Sequence, residues 1–175
     1  MNPESYQCSP TEMVPNSRFP VLVYRDVLQK PYNEEIICSQ IEQNAWIHRR
    51  TWGGIPRHHF HPNTNEVYAV CAGSSTLSLG AYPGQDATLT VKLIAGILIV
   101  LPAGVSHCSL EWSNDYRYLR FYPVDSPRWK NEHCSSPDRL VDLSAKATAV
   151  PVPTKDPFNG CRGGLLTIWG SAVSL

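Results

Sequence analysis

The stretch GGIPRHHFHPNTNEVYAVCAG, Gly53 to Gly73, sets His59, His61 and Glu66 on a pattern that suits a β-hairpin. Side chains alternate along a strand, so imidazoles at i and i+2 point to one face. His59 and His61 can therefore grip one ion together. A second block, GILIVLPAGVSHCSL, begins at Gly96 and carries Pro102, Gly104 and His107. His107 and Glu66 can complete the site. Three neutral imidazoles and a carboxylate form a mixed nitrogen and oxygen set suited to a divalent transition ion. Four protein ligands leave room on such an ion for water, dioxygen or a substrate oxygen, so the site could do chemistry. The residues do not choose among iron, manganese, nickel, copper, cobalt and zinc, because affinity order and supply decide the occupant.

Alternation extends the reading outward from the ligands. If Glu66 faces inward, Tyr68 and Val70 do too, which makes Tyr68 either a pocket donor or a core tyrosine. Ser106 and Cys108 then flank His107 on the other face, and Cys108 reads as a packed thiol rather than a nucleophile. His58 points away from His59 and is structural or at the surface. His48, beside Arg49 and Arg50, has no assigned role, and His133 lies in a polar loop expected in solvent. In DYRYLRFYP, one face holds Tyr116, Tyr118 and Arg120 and the other Arg117, Leu119 and Phe121. Alternation alone does not say which set faces the ion. An inward arginine would suit a carboxylate or phenolate substrate, whereas arginine ordinarily lies in solvent or at an interface.

Residues 1–18 read as a flexible or loosely docked arm, and 19–175 as one domain containing the motif blocks 53–73 and 96–111. Pro20 opens VLVYRDV, which fits a strand. Asn33 suits an N-cap before Glu34 and Glu35, with Ile37, Ile41 and Ala45 at four-residue spacing, so a helix is expected there. Beyond His58 come EVYAVCAG, STLSLG, TLTVKLIAG, ILIVLPAG, VSHCSLEW and DYRYLRFYP, strand-length runs parted by turn residues. A second short helix is expected in SSPDRLVDLSAKATAV, with Ser136 as N-cap and Pro137 at the first helical position. The late GGLLTIWG reads as a last strand on a sheet face or edge.

With 15 Pro and 11 Gly in 175 residues, the composition suits many short strands and turns rather than a helical bundle. Fifteen basic residues balance fifteen acidic ones. Without a basic run or basic and aromatic interleaving, nucleic acid and anionic membrane are poor partners. The N-terminal twenty residues lack the apolar core of a signal peptide, and no later segment reaches membrane-spanning length, so a cytoplasmic location is expected. The six cysteines have no CxxC spacing and are expected to be free thiols in such a compartment. No nucleophile elbow, phosphate-cradling glycine loop or dinucleotide fingerprint is present.

The two blocks resemble the paired motifs of the cupin superfamily, G-x5-H-x-H-x4-E-x6-G and G-x5-P-x-G-x2-H, with Glu111 where the second motif usually ends in Asn. The RFPVLVYR opening and the VPVPTKDPFNG and GGLLTIWG segments are similar to the YjlB-like group of small single-domain cupins. The resemblance implies an all-β fold, the double-stranded β-helix or jelly-roll barrel, with one or two short flanking helices. It implies a metal held by His59, His61, Glu66 and His107, with iron favoured, and Glu66 able to leave the ion and act as a base. Dioxygenases are among cupins with this ligand set, so the leading expectation is a metal-dependent dioxygenase on an aromatic, enol or polyketide-like small molecule, with Glu66 and Tyr68 as catalytic residues. A non-redox isomerase, cyclase or decarboxylase and a non-catalytic small-molecule binder are the alternatives. Small cupins commonly pair, so a homodimer is expected.

Overall fold

The computed structural model describes residues 2–87 and 89–173. Six strands form one antiparallel sheet: β1 (Glu4–Tyr6), β2 (Val21–Tyr24), β3 (Trp46–Trp52), β4 (Glu66–Ala72), β7 (Leu98–Leu101) and β9 (Arg117–Pro123), in the order β1-β2-β7-β4-β9-β3. The second sheet, also antiparallel, has the order β6-β5-β8 and is built from β5 (Ser74–Leu79), β6 (Thr90–Ile94) and β8 (His107–Trp112). The two sheets give the double-sheet jelly-roll barrel that the resemblance of the motif blocks implies.

The large sheet is apolar on both faces, which explains why VLVY and LIVL read as unbroken hydrophobic runs and are buried at every position. Val21, Val23, Tyr68, Val70, Ile99, Leu101, Tyr116 and Tyr118 pack inward with Leu77, Leu79, Val91 and Leu93 of the small sheet. The alternate set, including Leu22, Tyr24, Val67, Leu98, Val100 and Phe121, packs against Ile37 and Ile41 of helix α1 (Glu34–Glu42) and Leu165 and Trp169 of helix α3 (Gly164–Val173). Helix α1 starts as expected, with Asn33 Oδ1 accepting from the Ile36 amide at 2.9 Å. Ala45 lies beyond its end, at a φ of 60°.

Three parts of the chain differ from the reading of the sequence. GGLLTIWG is helix α3, not a strand. Leu165 and Trp169, one turn apart, are both fully buried against the sheet, and the Trp169 ring stacks on Phe19 at 5.1 Å. Asp156 anchors the start of this helix: its Oδ2 accepts from the Leu165 amide at 2.9 Å and from the Tyr24 hydroxyl. A side chain at Gly163 would collide with Asp156. Strand β3, WIHRRTW, was not anticipated, because its two adjacent arginines obscure the alternation; it forms the sheet edge against β9. Residues 2–18, read as an arm, contribute β1 to the sheet and bury Cys8, Val14 and Asn16. The Asn16 amide donates to the carbonyls of Ser9 and Gly80 at 2.6 and 3.0 Å.

Helix α2 (Leu140–Thr148) follows a 3-10 turn at Pro137–Arg139, and Ser136 makes no capping bond. Of its two spaced leucines, Leu143 is buried and Leu140 is half-buried. Among the described residues, no helix is long and apolar enough to cross a membrane. All six cysteines are free, as expected.

Candidate metal centre

The motif block between Gly53 and His61 runs along strand β8. His59 and His107 exchange two backbone hydrogen bonds, of 3.2 and 2.9 Å, and the Ser109 amide donates to the Ile55 carbonyl at 2.7 Å. On its other edge the same segment pairs Phe60 with Glu132. This pairing holds the segment extended, so His59 and His61 turn to one side and Phe60 to the other, where it is fully buried near Val14 and Leu143. Gly104 sets the approach to His107: at φ +90° its missing side chain leaves room for the Asn16 carbonyl, 2.5 Å from where a Cβ would stand.

Candidate ligand atoms of His59, His61 and His107 all lie within 4.8 Å of one another, and the three residues are buried. Glu66, at the first position of β4, is 1% exposed and reaches the cluster through Oε2, 3.1 Å from His61 Nε2 and 3.4 Å from His107 Nε2. All four predicted ligands therefore meet. The far nitrogen of each ring is tied back: His59 Nδ1 lies 2.9 Å from the Arg57 carbonyl, His61 Nδ1 2.8 Å from that of Lys130, and His107 Nδ1 3.1 Å from that of Val105. A carbonyl oxygen only accepts, so each Nδ1 carries a proton, which leaves Nε2 as the nitrogen that can offer a lone pair to an ion at the centre. Three lone pairs and a carboxylate facing one another call for a cation. The contact of His107 Nε2 with Glu66 falls within ion-pair distance but lacks hydrogen-bond geometry, leaving that nitrogen buried without a hydrogen-bond partner. The donor set fits a divalent transition ion, with the ring tautomers already fixed by backbone acceptors.

Burial, with His107 adding to it, pushes the His59 pKa down to about 3, which keeps the ring neutral and ready to ligate. Burial by itself raises Glu66; the neighbouring His61 and His107 rings outweigh it and hold the carboxyl well below its ordinary range. Glu66 Oε1 is engaged separately, accepting from the Tyr122 hydroxyl at 2.5 Å and lying 3.3 Å from Arg120 Nε. Burial first, and then Glu66, raise the Tyr68 and Tyr122 hydroxyls far above the usual phenol range, so both remain protonated donors.

Tyr68 lines the centre, its ring 5.7 Å from that of His107 and 4.0 Å from that of Tyr118. The face of β9 left open by alternation is settled: Tyr116, Tyr118 and Arg120 point inward, and Arg120 is 4% exposed. Arg120 is thus neither solvated nor at an interface. Tyr122 belongs to the same inward row and was missed, although carrying the alternation two residues past Arg120 finds it. Trp129, stacked on Tyr122 at 5.0 Å, comes from a loop with no periodic signal. Cys108 is buried as expected, and His58 is half-buried. His133, expected in solvent, is half-buried with an Nδ1 that finds no partner among the described residues.

No family model matches the chain. The uncharacterized protein YjlB of Bacillus subtilis (strain 168) is 30% identical to it over 153 residues, covering 86% of each chain. Among solved structures, it is similar to an oxalate decarboxylase, at 15% identity and a TM-score of 0.40 over 65% of this chain and 27% of that one. A salicylate 1,2-dioxygenase from Pseudaminobacter salicylatoxidans matches at 16% identity and a TM-score of 0.31, over 57% and 22% of the two chains. The coconut allergen cocosin matches at 14% and 0.38, over 46% and 21%. The chain therefore spans well under a third of the length of these solved proteins. Identity with YjlB that runs through most of both chains, joined to a double antiparallel sheet enclosing the motif histidines, makes this chain a member of the cupin superfamily, in the group that includes YjlB.

Proposed function

We propose that this protein is a metal-dependent enzyme acting on a small molecule, most simply a dioxygenase for an aromatic, enol or polyketide-like substrate. The observation that carries the reading is the convergence of three imidazoles whose Nδ1 protons are all committed to backbone carbonyls. His59, His61 and His107 would hold the ion, with Glu66 as the fourth ligand. A divalent ion there would supply Lewis acidity, and redox capacity if it is iron, manganese, copper or cobalt.

The chain's own residues do the remaining work. Tyr122 and Arg120 hold Glu66 Oε1, which fixes the carboxylate and leaves Oε2 to the histidines. Tyr68 and Tyr118, both almost wholly buried, keep water from the centre and offer flat faces to an unsaturated substrate. Tyr68, its ring 5.7 Å from that of His107, would donate a hydrogen bond to a substrate oxygen there. A non-redox isomerase, cyclase or decarboxylase is the second reading, favoured by one observation: the Tyr122 hydroxyl donates to Glu66 Oε1 at 2.5 Å, which sets a proton donor beside a proton acceptor at the centre.

The test is elemental analysis of protein purified without oxygen or nickel affinity, with oxygen uptake measured on the same sample against phenolic and enolic compounds. Stoichiometric iron, manganese, copper or cobalt with substrate-dependent uptake is the expected result. Zinc or nickel without uptake would transfer the assignment to non-redox chemistry. A protein that takes up no metal would be a binder rather than an enzyme of this kind.

A further inference from the structure

Arg120 is a buried cation with more donors than partners. Its Nε has no hydrogen-bond partner among the described residues, and its one ion pair, to Glu66 Oε1 at 3.3 Å, engages a carboxylate already shared with Tyr122 and two histidines. The guanidinium sits in an aromatic box, 5.4 Å from the Trp52 ring centre, 5.6 Å from Tyr122 and 4.8 Å from Trp129. Rings orient a guanidinium without using its N–H groups, so its donors stay available to an anion.

The surroundings add positive charge. Arg50 stands directly opposite Arg120 in the β3–β9 ladder, a like-charge pairing that costs stability. The register breaks between His48 and Arg50, which makes Arg49 the extra residue of a bulge. Arg49 and Arg128, both exposed, line a cavity of about 360 Å³ whose wall includes Tyr122 and Trp129. Among the described residues, Arg49, Arg50 and Arg128 have no carboxylate partner. In a chain of zero formal net charge, two arginines at this cavity and a third, Arg50, facing Arg120 across the ladder form a local concentration of positive charge.

We propose that Arg120, held by Trp52, Tyr122 and Trp129, is the anion-recognition element of the pocket and selects a small molecule bearing a carboxylate. The exposed arginines at the cavity draw the anion in, and the Arg120 fork takes its carboxylate beside the histidine cluster. The inference rests on the proposed function only for the reaction that follows; the anion site stands on the protein's own side chains.

The test uses acetate and its neutral isostere acetamide, titrated into metal-free and metal-loaded protein while the Arg120 Nε–H and Trp52 Nε1–H resonances are followed. Acetate should shift both resonances saturably in both preparations, and acetamide at equal concentration should not. In R120Q the acetate Kd should rise by about 10-fold or more, the loss expected when a charge-assisted hydrogen bond is removed, and R120K should recover part of it. Equal responses to acetate and acetamide, or an unchanged acetate Kd in R120Q, would overturn the proposal. If R120Q does not fold, the wild-type comparison of acetate with acetamide decides alone. Metal analysis on the same samples separates the two readings. Arg120-dependent acetate binding in protein that takes up no metal supports the anion site and removes the metal enzyme, whereas stoichiometric metal with acetate binding indifferent to Arg120 removes the anion site alone.

Discussion

Glu66 divides its two oxygens between different tasks, Oε2 toward His61 and His107 and Oε1 toward Tyr122 and Arg120. That division makes the site sensitive to residues that ligate nothing. Replacing His59 or His107 with Ala should abolish stoichiometric metal, and retention of the metal on elemental analysis would refute the ligand assignment. Y122F removes only the hydroxyl that orients Glu66, and should weaken metal affinity by about 10–100-fold in a competition with chelators. The pH response of the metal-free protein follows from His59, whose folded pKa of about 3 lies below its unfolded value of 6.5. Between those values the unfolded chain binds a proton that the folded chain refuses. Stability is then whole above pH 6.5 and falls as the pH drops toward 3. A urea midpoint that H59Q leaves equally steep in pH across this window would contradict that origin.

At the scale of elements, the outer layer of the large sheet depends on α3 being a helix. Trp169→Ala should destabilise by about 3–5 kcal/mol, the usual cost of emptying a fully buried aromatic site, read from the urea midpoint. Asp156 is fully buried and accepts from the Phe158, Asn159 and Leu165 amides and from Tyr24. D156N turns an amide NH2 toward donors on one side of that cluster and should cost about 2 kcal/mol or more; a midpoint within error of wild type would mean that the cluster relaxes around it. The helix was legible in GGLLTIWG only through the spacing of Leu165 and Trp169, and an eight-residue apolar run bounded by glycine fits a strand equally well. Strands β4 to β9 were legible because each run ends in a turn residue, such as Gly73, whose φ of +63° makes the β4–β5 hairpin.

At the scale of the whole molecule, the two sheets enclose one apolar interior and place the histidines within it, while a second apolar layer lies under α1 and α3. Ile94 and Trp112 are exposed at neighbouring register positions across β5, opposite Ser74 and Ser75. We propose a homodimer. Light scattering at micromolar concentration should return twice the 19.5 kDa chain mass, and a monomer would refute it.

The sequence by itself determined the histidines, the glutamate and the strands that carry them, because the period-two alternation and turn residues that specify a ligand pair are local. It also located α1, whose cap and first-turn charges lie within four residues. Only the tertiary structure decided that Arg120 faces the centre, that Tyr122 and Trp129 surround it, and that residues 2–18 pack onto the sheets. Those outcomes depend on which strand face meets which sheet. Burial of both faces of the large sheet removes the polar alternation that would have revealed it.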